Sequence, residues 1–469
     1  MRLDLEGNPP SPKVVFKGRL LQDHARGGEG GLDGYLAIGG YATLSRMLGE
    51  GEQERALALL SAARLRGRAG GGFPTAEKWM QVKRSNSDNK FFVCNAHSGQ
   101  PGGFKERFLI ELNPHGVLEA VALAAAVIGA TVAIICLGAS LEREQLLLES
   151  ALEEARFRSL LRTENGLPEI RVRRLSESYI AGEETALLEL LAGRPGRPCG
   201  KPPIPTRSGL EGAPTVINNL ETVLQAFFAI KCGPERFREV GTKYPSGTLV
   251  FCLSGEVERP GIYELPLGTR LGTLINEYGG GVVGNLGLKA VLVGGVGGTA
   301  LGPDSLDTPL DYDSLSGVGG SLGGGVVIVV SGNSSIVSIT RKLAKFYYDN
   351  SCGKCRPCKD GTKRAFHMLS HLDRIDEKAA DWVDTADSVA QKGIPLVLIE
   401  DRVTQRPGIS YTDSASGLDK IRLICKWYEA RGDCHHSTES ARMILSLLDT
   451  FEAEFVRERL SSESLAGMA

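Results

Sequence analysis

Three cysteines within eight residues constrain this chain more than any other feature. Cys352, Cys355 and Cys358 lie in SCGKCRPC, spaced C-x2-C-x2-C. Thiols this close can share one compact centre only if the backbone bends around it and a fourth ligand arrives from elsewhere in the chain. Structural zinc usually draws two separated pairs of ligands. The triplet therefore favours a cubane [4Fe–4S] cluster over zinc, or over no metal at all. Cys425 and Cys434 are the two candidates for the fourth ligand. Cys425 sits in the apolar helical stretch LICKWY, where a buried free thiol is the ordinary explanation. Cys434 follows Gly432–Asp433 in an expected loop and is favoured. Lys354, Arg356 and Lys359 would offset the negative charge of a four-thiolate cluster. Cys94, Cys136, Cys199, Cys232 and Cys252 are scattered and read as packing residues. No apolar core follows Met1–Leu5, so no secretory signal is expected. Ten cysteines then point to a reducing compartment and to metal or redox chemistry, not to disulfides.

The 469 residues suggest two to four domains, and a net charge of −2 argues against a nucleic-acid surface. The charge-free run 120–137 is long enough to resemble a membrane span. Its first half is Ala/Leu-rich, Gly129 interrupts it, and 131–137 is short and β-branched. A buried helix followed by a parallel strand fits better, so no direct membrane span is expected. Residues 1–60 read as a polar entry with a short helix over 56–64. From there to about 230 the pattern is α/β, with strands over 91–94 and 170–173 and a helix over 218–230. Residues 193–205 form a Pro/Gly break. Past residue 247, short strands around a helix at 273–278 suggest a ubiquitin-like β-grasp module, followed by a Gly-rich loop over 317–325. From 334 the pattern is helical, with helices over 339–348 and 441–460. The last of these places Ile444, Leu447, Leu448, Phe451 and Phe455 on one face. Residues 381–416 have no clear period and read as an insertion. The expected fold class is α/β, with domains over 1–240, 241–333 and 334–469.

RLRGRAGGGFPTAEKW, starting at Arg64, gathers Gly67, Gly70, Gly71 and Gly72 into a tight turn. Backbone N–H groups exposed in such a turn can cradle a phosphate. A Gly-rich loop is weak evidence alone.

Four segments in order carry more. RGRAGGGFPTAEKW is followed by NAHSGQPGGFKERFLIELNPH from Asn95, by ESYIAGEETALLE from Glu177 with APTVINNLET from Ala213, and by NSCGKCRPCKDGT from Asn350. Together they resemble the flavoprotein, NADH-binding subunit of respiratory complex I and the matching subunits of NAD-linked hydrogenases and formate dehydrogenases. The resemblance covers roughly residues 35–460. It implies a Rossmann-like FMN-binding domain, a ubiquitin-like (SLBB) domain and a C-terminal helical bundle holding one [4Fe–4S] cluster. It implies FMN held by Gly67, Arg68, Gly70, Gly71, Gly72, Phe73 and Lys78, with Asn95, Tyr179, Gly182, Glu183, Glu184, Val216, Asn218 and Asn219 completing the pocket. Glu183, Glu184, His97 and Gln100 are the candidate catalytic positions. It also implies NADH as a possible donor, other iron–sulfur subunits as partners, and a cytoplasmic or peripheral membrane-face location.

The sequence departs from the family where the dinucleotide is expected. The second motif normally reads NADEGEPGTFKDR, so three acidic positions have become His97, Ser98 and Gln100. At an effective dielectric near 20, one charge at 4 Å is worth about 4 kcal/mol, so donor energetics should change. Two positions where the family carries aromatics that stack on adenine are Gln81 and Ile204; Phe73 remains. Each lost stack forfeits about 0.5–1.5 kcal/mol. His435–His436 replaces a small-residue turn after Cys434, and these histidines are expected to be exposed. The leading reading is a flavin and iron–sulfur electron-transfer subunit that oxidises NADH. One rival keeps that conduit with another donor or a protein partner. A second rival is a non-catalytic scaffold with a vestigial flavin pocket.

Overall fold

The chain divides into two compact units, Met1–Asn333 and Ser334–Ala469. The computed structural model describes residues 13–16, 19–97, 99–244, 246–370, 372 and 417–457. Ser98 and the expected insertion at 381–416 lie outside the described residues.

The first unit opens with strand β1 (Lys13–Phe16) and helices α1 (Arg19–Gly28), α2 (Gly31–Ala37), α3 (Ala42–Met47), α4 (Glu52–Ala63) and α5 (Thr75–Lys83). Then come β2 (Phe91–Ala96), α6 (Lys105–Leu112), α7 (Pro114–Ile128), β3 (Val132–Gly138), α8 (Glu142–Phe157), β4 (Glu169–Leu175), α9 (Glu184–Leu191), β5 (Thr215–Asn219), α10 (Leu220–Cys232) and α11 (Pro234–Arg238). The charge-free run resolves as expected. Asn113 caps α7, Pro114 starts it, and Gly129 ends it at φ +74°. Nearly all of α7 is buried, which explains an apolar composition without a membrane. No single helix among the described residues is long and apolar enough to cross a bilayer.

Strands β2–β5 form one parallel sheet in the order β4-β3-β2-β5. From β2 the chain crosses to β3 on one side, while β5 joins on the other. The gap between β2 and β5 is therefore the topological switch point, where ligands of open α/β sheets bind beyond the strands' carboxyl ends. Asn95 pairs in register with Asn219, and Cys94 with Asn218, at that end.

The unit continues with β6 (Thr248–Gly255), β7 (Gly261–Pro266), β8 (Leu288–Val293), β9 (Thr299–Leu301), α12 (Tyr312–Gly317) and β10 (Val326–Ser331). These strands make a mixed sheet, β1-β7-β6-β10-β8-β9, with β10 parallel to β6 and β1 parallel to β7. Its core includes Leu249, Phe251, Leu274, Ile275, Val291 and Val329. The turn at Thr273–Tyr278 is helical, as the sequence suggested, but π-wound.

Two expectations need correcting here. Residues 19–47 hold three helices, not a polar entry. The first buries Leu20, Leu21 and His24 on one face, a periodicity hidden among the charged residues of Arg19–Gly28. The helices are ordered by packing on α7, whose buried Glu119 accepts from Tyr35 Oη, from Tyr41 N at 2.8 Å and from Leu44 N at 3.1 Å. The expected helix at 218–230 begins at Leu220, because Thr215–Asn219 is a strand and Asn219 is its helix cap.

The second unit packs α13 (Ile336–Asp349), α14 (Arg356–Ser370), α15 (Gly417–Tyr428) and α16 (His436–Thr450) against one another. The expected helix over 441–460 starts earlier, at His436, breaks at Phe451, which leaves helical geometry at ψ 27°, and is helical again over 452–457. Ile444, Leu447, Leu448 and Phe455 are still buried.

Candidate functional site

The Gly-rich loop joins α4 to α5 and is tied down at several points. Gly67 N donates to Phe73 O at 2.9 Å and Arg66 bridges to Pro74, closing the turn. Tyr312 Oη, from α12, donates to Gly67 O. Arg66 Nε donates to Gly72 O at 2.6 Å, and its guanidinium lies 4.3 Å over the Tyr312 ring. These bonds draw two loop carbonyls towards protein partners. A Cβ built on Gly70 or Gly71 would meet nothing within 4 Å, and Gly70 has φ +65°. The middle of the loop therefore borders open space.

Arg68 is fully buried. Its amide donates to Thr222 Oγ1 and its Nη2 to Ser246 O, both at 2.8 Å. Its Nε and Nη1 have no partner. A buried guanidinium with two idle donors is costly unless an acceptor joins it. Arg68 O accepts from Lys105 Nζ at 3.2 Å, and that ammonium pairs with buried Glu221 at 2.6 Å. Burial works against the Lys105 charge, but Glu221 and Glu106 outweigh it and hold its pKa above the usual lysine range. The other Glu221 oxygen accepts from Val250 N on β6 at 2.9 Å, so one ion pair couples the loop, α6, α10 and the mixed sheet.

Lys78, one turn into α5, lies 3.5 Å from Glu184 and donates to Ile217 O at 3.1 Å. Lys201 also pairs with Glu184. Burial tends to raise the Glu184 pKa, but Lys78 and Lys201 outweigh it and hold the carboxyl below its usual range. Trp79 Nε1 donates to Asn218 Oδ1 at 2.7 Å, which fixes that amide. Asn95 Nδ2 donates to Gly182 O at 2.9 Å, and Asn219 Nδ2 to Glu106 at 2.8 Å. Val216 is buried in β5, and Tyr179 and Gly182 form the turn before α9. Most expected flavin-site residues thus gather where the parallel strands end. Phe73 remains half exposed.

Three of the four candidate catalytic side chains turn to structural partners. Glu183 is the N-cap of α9, accepting from Thr185 N and Ala186 N at 2.9 Å. Buried His97 places Nε2 2.7 Å from Ser176 O, which assigns the ring proton to Nε2. Gln100 Nε2 donates to Gly294 O at 2.7 Å, beside the second sheet. Glu184 pairs with Lys78 and Lys201, and Glu183 also lies 3.6 Å from Lys201. Sequence reasoning passed over Lys105, Glu221, Thr222, Lys201 and Tyr312. Lys105, Glu221 and Thr222 stand inside the family motifs and Lys201 inside the Pro/Gly break, whereas nothing local marks Tyr312.

In the second unit, the cysteine triplet bends into the start of α14. Lys359 N donates to Cys355 O at 3.0 Å. The positive end of that helix dipole favours thiolates and an anionic cluster. Burial and the two neighbouring thiols push the Cys358 pKa up to about 11, so ionisation calls for a bound cation. Asp433 N donates to Cys355 Sγ at 3.3 Å, which brings the loop carrying Cys434 against the triplet. Cys425 is fully buried in α15, where burial raises its pKa to about 12. Among the described residues no three Cys, His, Asp or Glu side chains are already gathered to hold a metal, and it is the loop carrying Cys434 that is hydrogen-bonded to Cys355. The expected cationic neighbours are partly engaged elsewhere, Lys354 with Asp433 at 2.9 Å and Arg356 with Asp360 at 3.4 Å. His435 is exposed as expected. His436 is not: it is buried, contacts Tyr347 O at 2.9 Å, and burial lowers its pKa.

Comparison with known proteins agrees with this geometry. Residues 60–227 match the Nuo51 FMN-binding domain, 250–291 the SLBB domain, and 338–393 the NADH-ubiquinone oxidoreductase-F iron-sulfur binding region. The NADH-quinone oxidoreductase-F protein of Aquifex aeolicus is 38% identical over 75% of this chain and 82% of its own length. A second such protein, from Rhizobium meliloti, is 36% identical over 91% and 93%. The NADP-reducing hydrogenase subunit HndC of Solidesulfovibrio fructosivorans is 35% identical over 86% and 81%. The solved structure of an NAD+-reducing [NiFe]-hydrogenase in the H2-reduced state superposes with TM-score 0.72 at 29% identity. It covers 86% of this chain, which spans 62% of that longer one. An FMN-binding α/β domain and a [4Fe–4S] region on one chain define a flavoprotein, iron–sulfur oxidoreductase component. The chain belongs to the NADH-quinone oxidoreductase-F family.

Proposed function

We propose that this chain takes a hydride from a reduced nicotinamide dinucleotide onto FMN and hands single electrons to a [4Fe–4S] cluster, and from there to iron–sulfur subunits of a larger assembly. The observation that carries the reading is Arg68 of the Gly-rich loop, whose buried Nε and Nη1 have no hydrogen-bond partner. An empty, vestigial pocket has no reason to keep a guanidinium in that state, which argues against the scaffold alternative.

FMN, when bound, accepts electrons as a pair and releases them singly; that chemistry is the cofactor's. The chain's own residues do the rest. The loop from Gly67 to Phe73, with Arg68, holds the phosphate end, and Lys78, Asn95, Tyr179, Gly182, Val216, Asn218 and Asn219 line the pocket. Glu183 fixes the start of α9, so that Glu184 is presented between Lys78 and Lys201 as a carboxylate. His97 and Gln100, with Ser98, withdraw the three carboxylates usual in the family and lower the negative charge around the donor. Cys352, Cys355, Cys358 and Cys434 hold the cluster. The domain reading is an FMN domain over 1–240, a β-grasp over 241–333 supported by β10 lying parallel beside β6, and a helical cluster-binding bundle over 334–469 with an insertion near 381–416. The chain would act on the cytoplasmic side, free or peripheral to the membrane through its complex.

The test is anaerobic purification, extraction of the flavin and an iron count, followed by addition of NADH or NADPH while the flavin's visible band is watched. Bound FMN, about four irons per chain and bleaching are expected. FMN without bleaching by either nucleotide would refute nicotinamide oxidation and leave a different donor. Iron without flavin would leave the scaffold.

A further inference from the structure

Two walls run outward from the flavin pocket and enclose a cavity. One wall is α5 and its exit, where Lys78 is followed by Gln81 and Ser85. The other is the segment from Lys201 through Ile204 and Thr206 to Arg207. Both walls start at Glu184, which pairs with Lys78 and with Lys201. Further along they close on each other, because Thr206 Oγ1 donates to Gln81 Oε1 at 2.8 Å. The cavity between them has a volume of about 430 Å³ and is lined by Gln81, Ser85, Ile204, Thr206, Arg207 and Pro214. At 1.5 Å per residue, Ser85 lies roughly 10 Å along the α5 axis from Lys78. The cavity also reaches Pro214, the residue before β5.

Its chemistry is one-sided. Thr206 and Gln81, joined by that bond, both line the cavity. Ser85 Oγ donates to Val82 O at 2.7 Å. Arg207 is exposed and forms no ion pair among the described residues. No lining residue carries a carboxylate. A site that accepts an unphosphorylated ribose commonly presents an Asp or Glu to its 2′-hydroxyl, whereas an arginine accommodates a 2′-phosphate. A carboxylate there would also repel the phosphate, so its absence matters as much as the arginine.

We infer that Arg207, which lines the cavity beside the adenine-stacking positions Gln81 and Ile204, takes the 2′-phosphate of the donor and so selects NADP(H) over NAD(H). The inference rests on the nicotinamide reading above and narrows it to one class of dinucleotide. Anion recognition by Arg207 then stands in for the aromatic stacking that Gln81 and Ile204 do not supply.

The test separates this inference from the reading beneath it. Binding of 2′,5′-ADP and of 5′-AMP to the anaerobically purified full chain is measured by calorimetry, and flavin bleaching by NADPH and by NADH is followed in parallel. A charge-assisted phosphate contact predicts that 2′,5′-ADP binds about 10- to 100-fold more tightly than 5′-AMP. Arg207→Leu should erase the difference and Arg207→Lys should retain part of it. Arg207 is exposed and outside any ion pair among the described residues, so these variants should keep wild-type flavin content. Equal binding of the two probes by wild type, or a preference that survives Arg207→Leu, overturns the inference. Bleaching by NADH as efficient as by NADPH overturns it too, while leaving nicotinamide oxidation standing. Probe discrimination with no bleaching by either dinucleotide would uphold the cavity and sink the hydride reading.

Discussion

Replacing Lys105 by Met should destabilise the first unit and loosen its hold on flavin together. Its ammonium pairs with Glu221 at 2.6 Å, and the two side chains are 3% and 0% exposed. Removing one member of a buried pair leaves the other charge without compensation, at a cost of about 3–5 kcal/mol. The loss of the bond to Arg68 O adds about 1 kcal/mol and frees the loop at its anchored end. For a unit this large, about 2 °C per kcal/mol turns the total into a fall of roughly 8–12 °C in the melting temperature. The double variant Lys105→Met/Glu221→Met removes both charges and should recover part of that loss, because no unpaired ion stays buried. Calorimetric melts of the single and double variants, with flavin content measured on the same samples, check this. A single variant that melts within about 2 °C of wild type, or a double variant less stable than either single one, would refute the view that this pair holds the loop to the mixed sheet.

Three further outcomes follow from the geometry. Glu264, buried on β7, accepts from Leu20 N, Leu21 N and Thr248 Oγ1, yet burial pushes its pKa up to about 7. A raised folded-state pKa contributes stability that is complete below about 4.5 and lost as pH rises through about 7, on the order of 3 kcal/mol in all. Urea midpoints should therefore climb as pH falls across that window, and Glu264→Gln should flatten the climb; an unchanged slope counts against it. Cys434→Ser should abolish the cluster's absorption and paramagnetic signal while Cys425→Ser keeps both, and the reverse pattern would reassign the fourth ligand. Tyr312→Phe keeps the ring under Arg66 but loses the bond to Gly67 O, so flavin affinity should drop about fivefold, for roughly 1 kcal/mol, in a fluorescence titration.

The cysteine spacing, the Gly-rich loop and the buried run at 120–137 were legible because each depends on neighbours in sequence. A chelating spacing, a turn and an all-apolar helix are local patterns. So was most of the flavin pocket, through motifs whose residues meet where the parallel strands end. What sequence could not assign was the partner of each side chain. Gln100 and His97 read as replacements at a reaction centre, and only folding shows that they bind the carbonyls of Gly294 and Ser176. Glu183 looked catalytic, yet it sits where α9 starts and caps its N–H groups. His436 read as exposed because burial depends on which helix lies across it. Tyr312 and Thr222 meet the loop from 245 and 154 residues away, a distance no local pattern encodes. The amino-acid order determined which chemistry this protein can hold. The tertiary structure decided which polar groups are already satisfied by protein and which, like Nε and Nη1 of Arg68, are not, because hydrogen-bond satisfaction is settled only when distant segments pack.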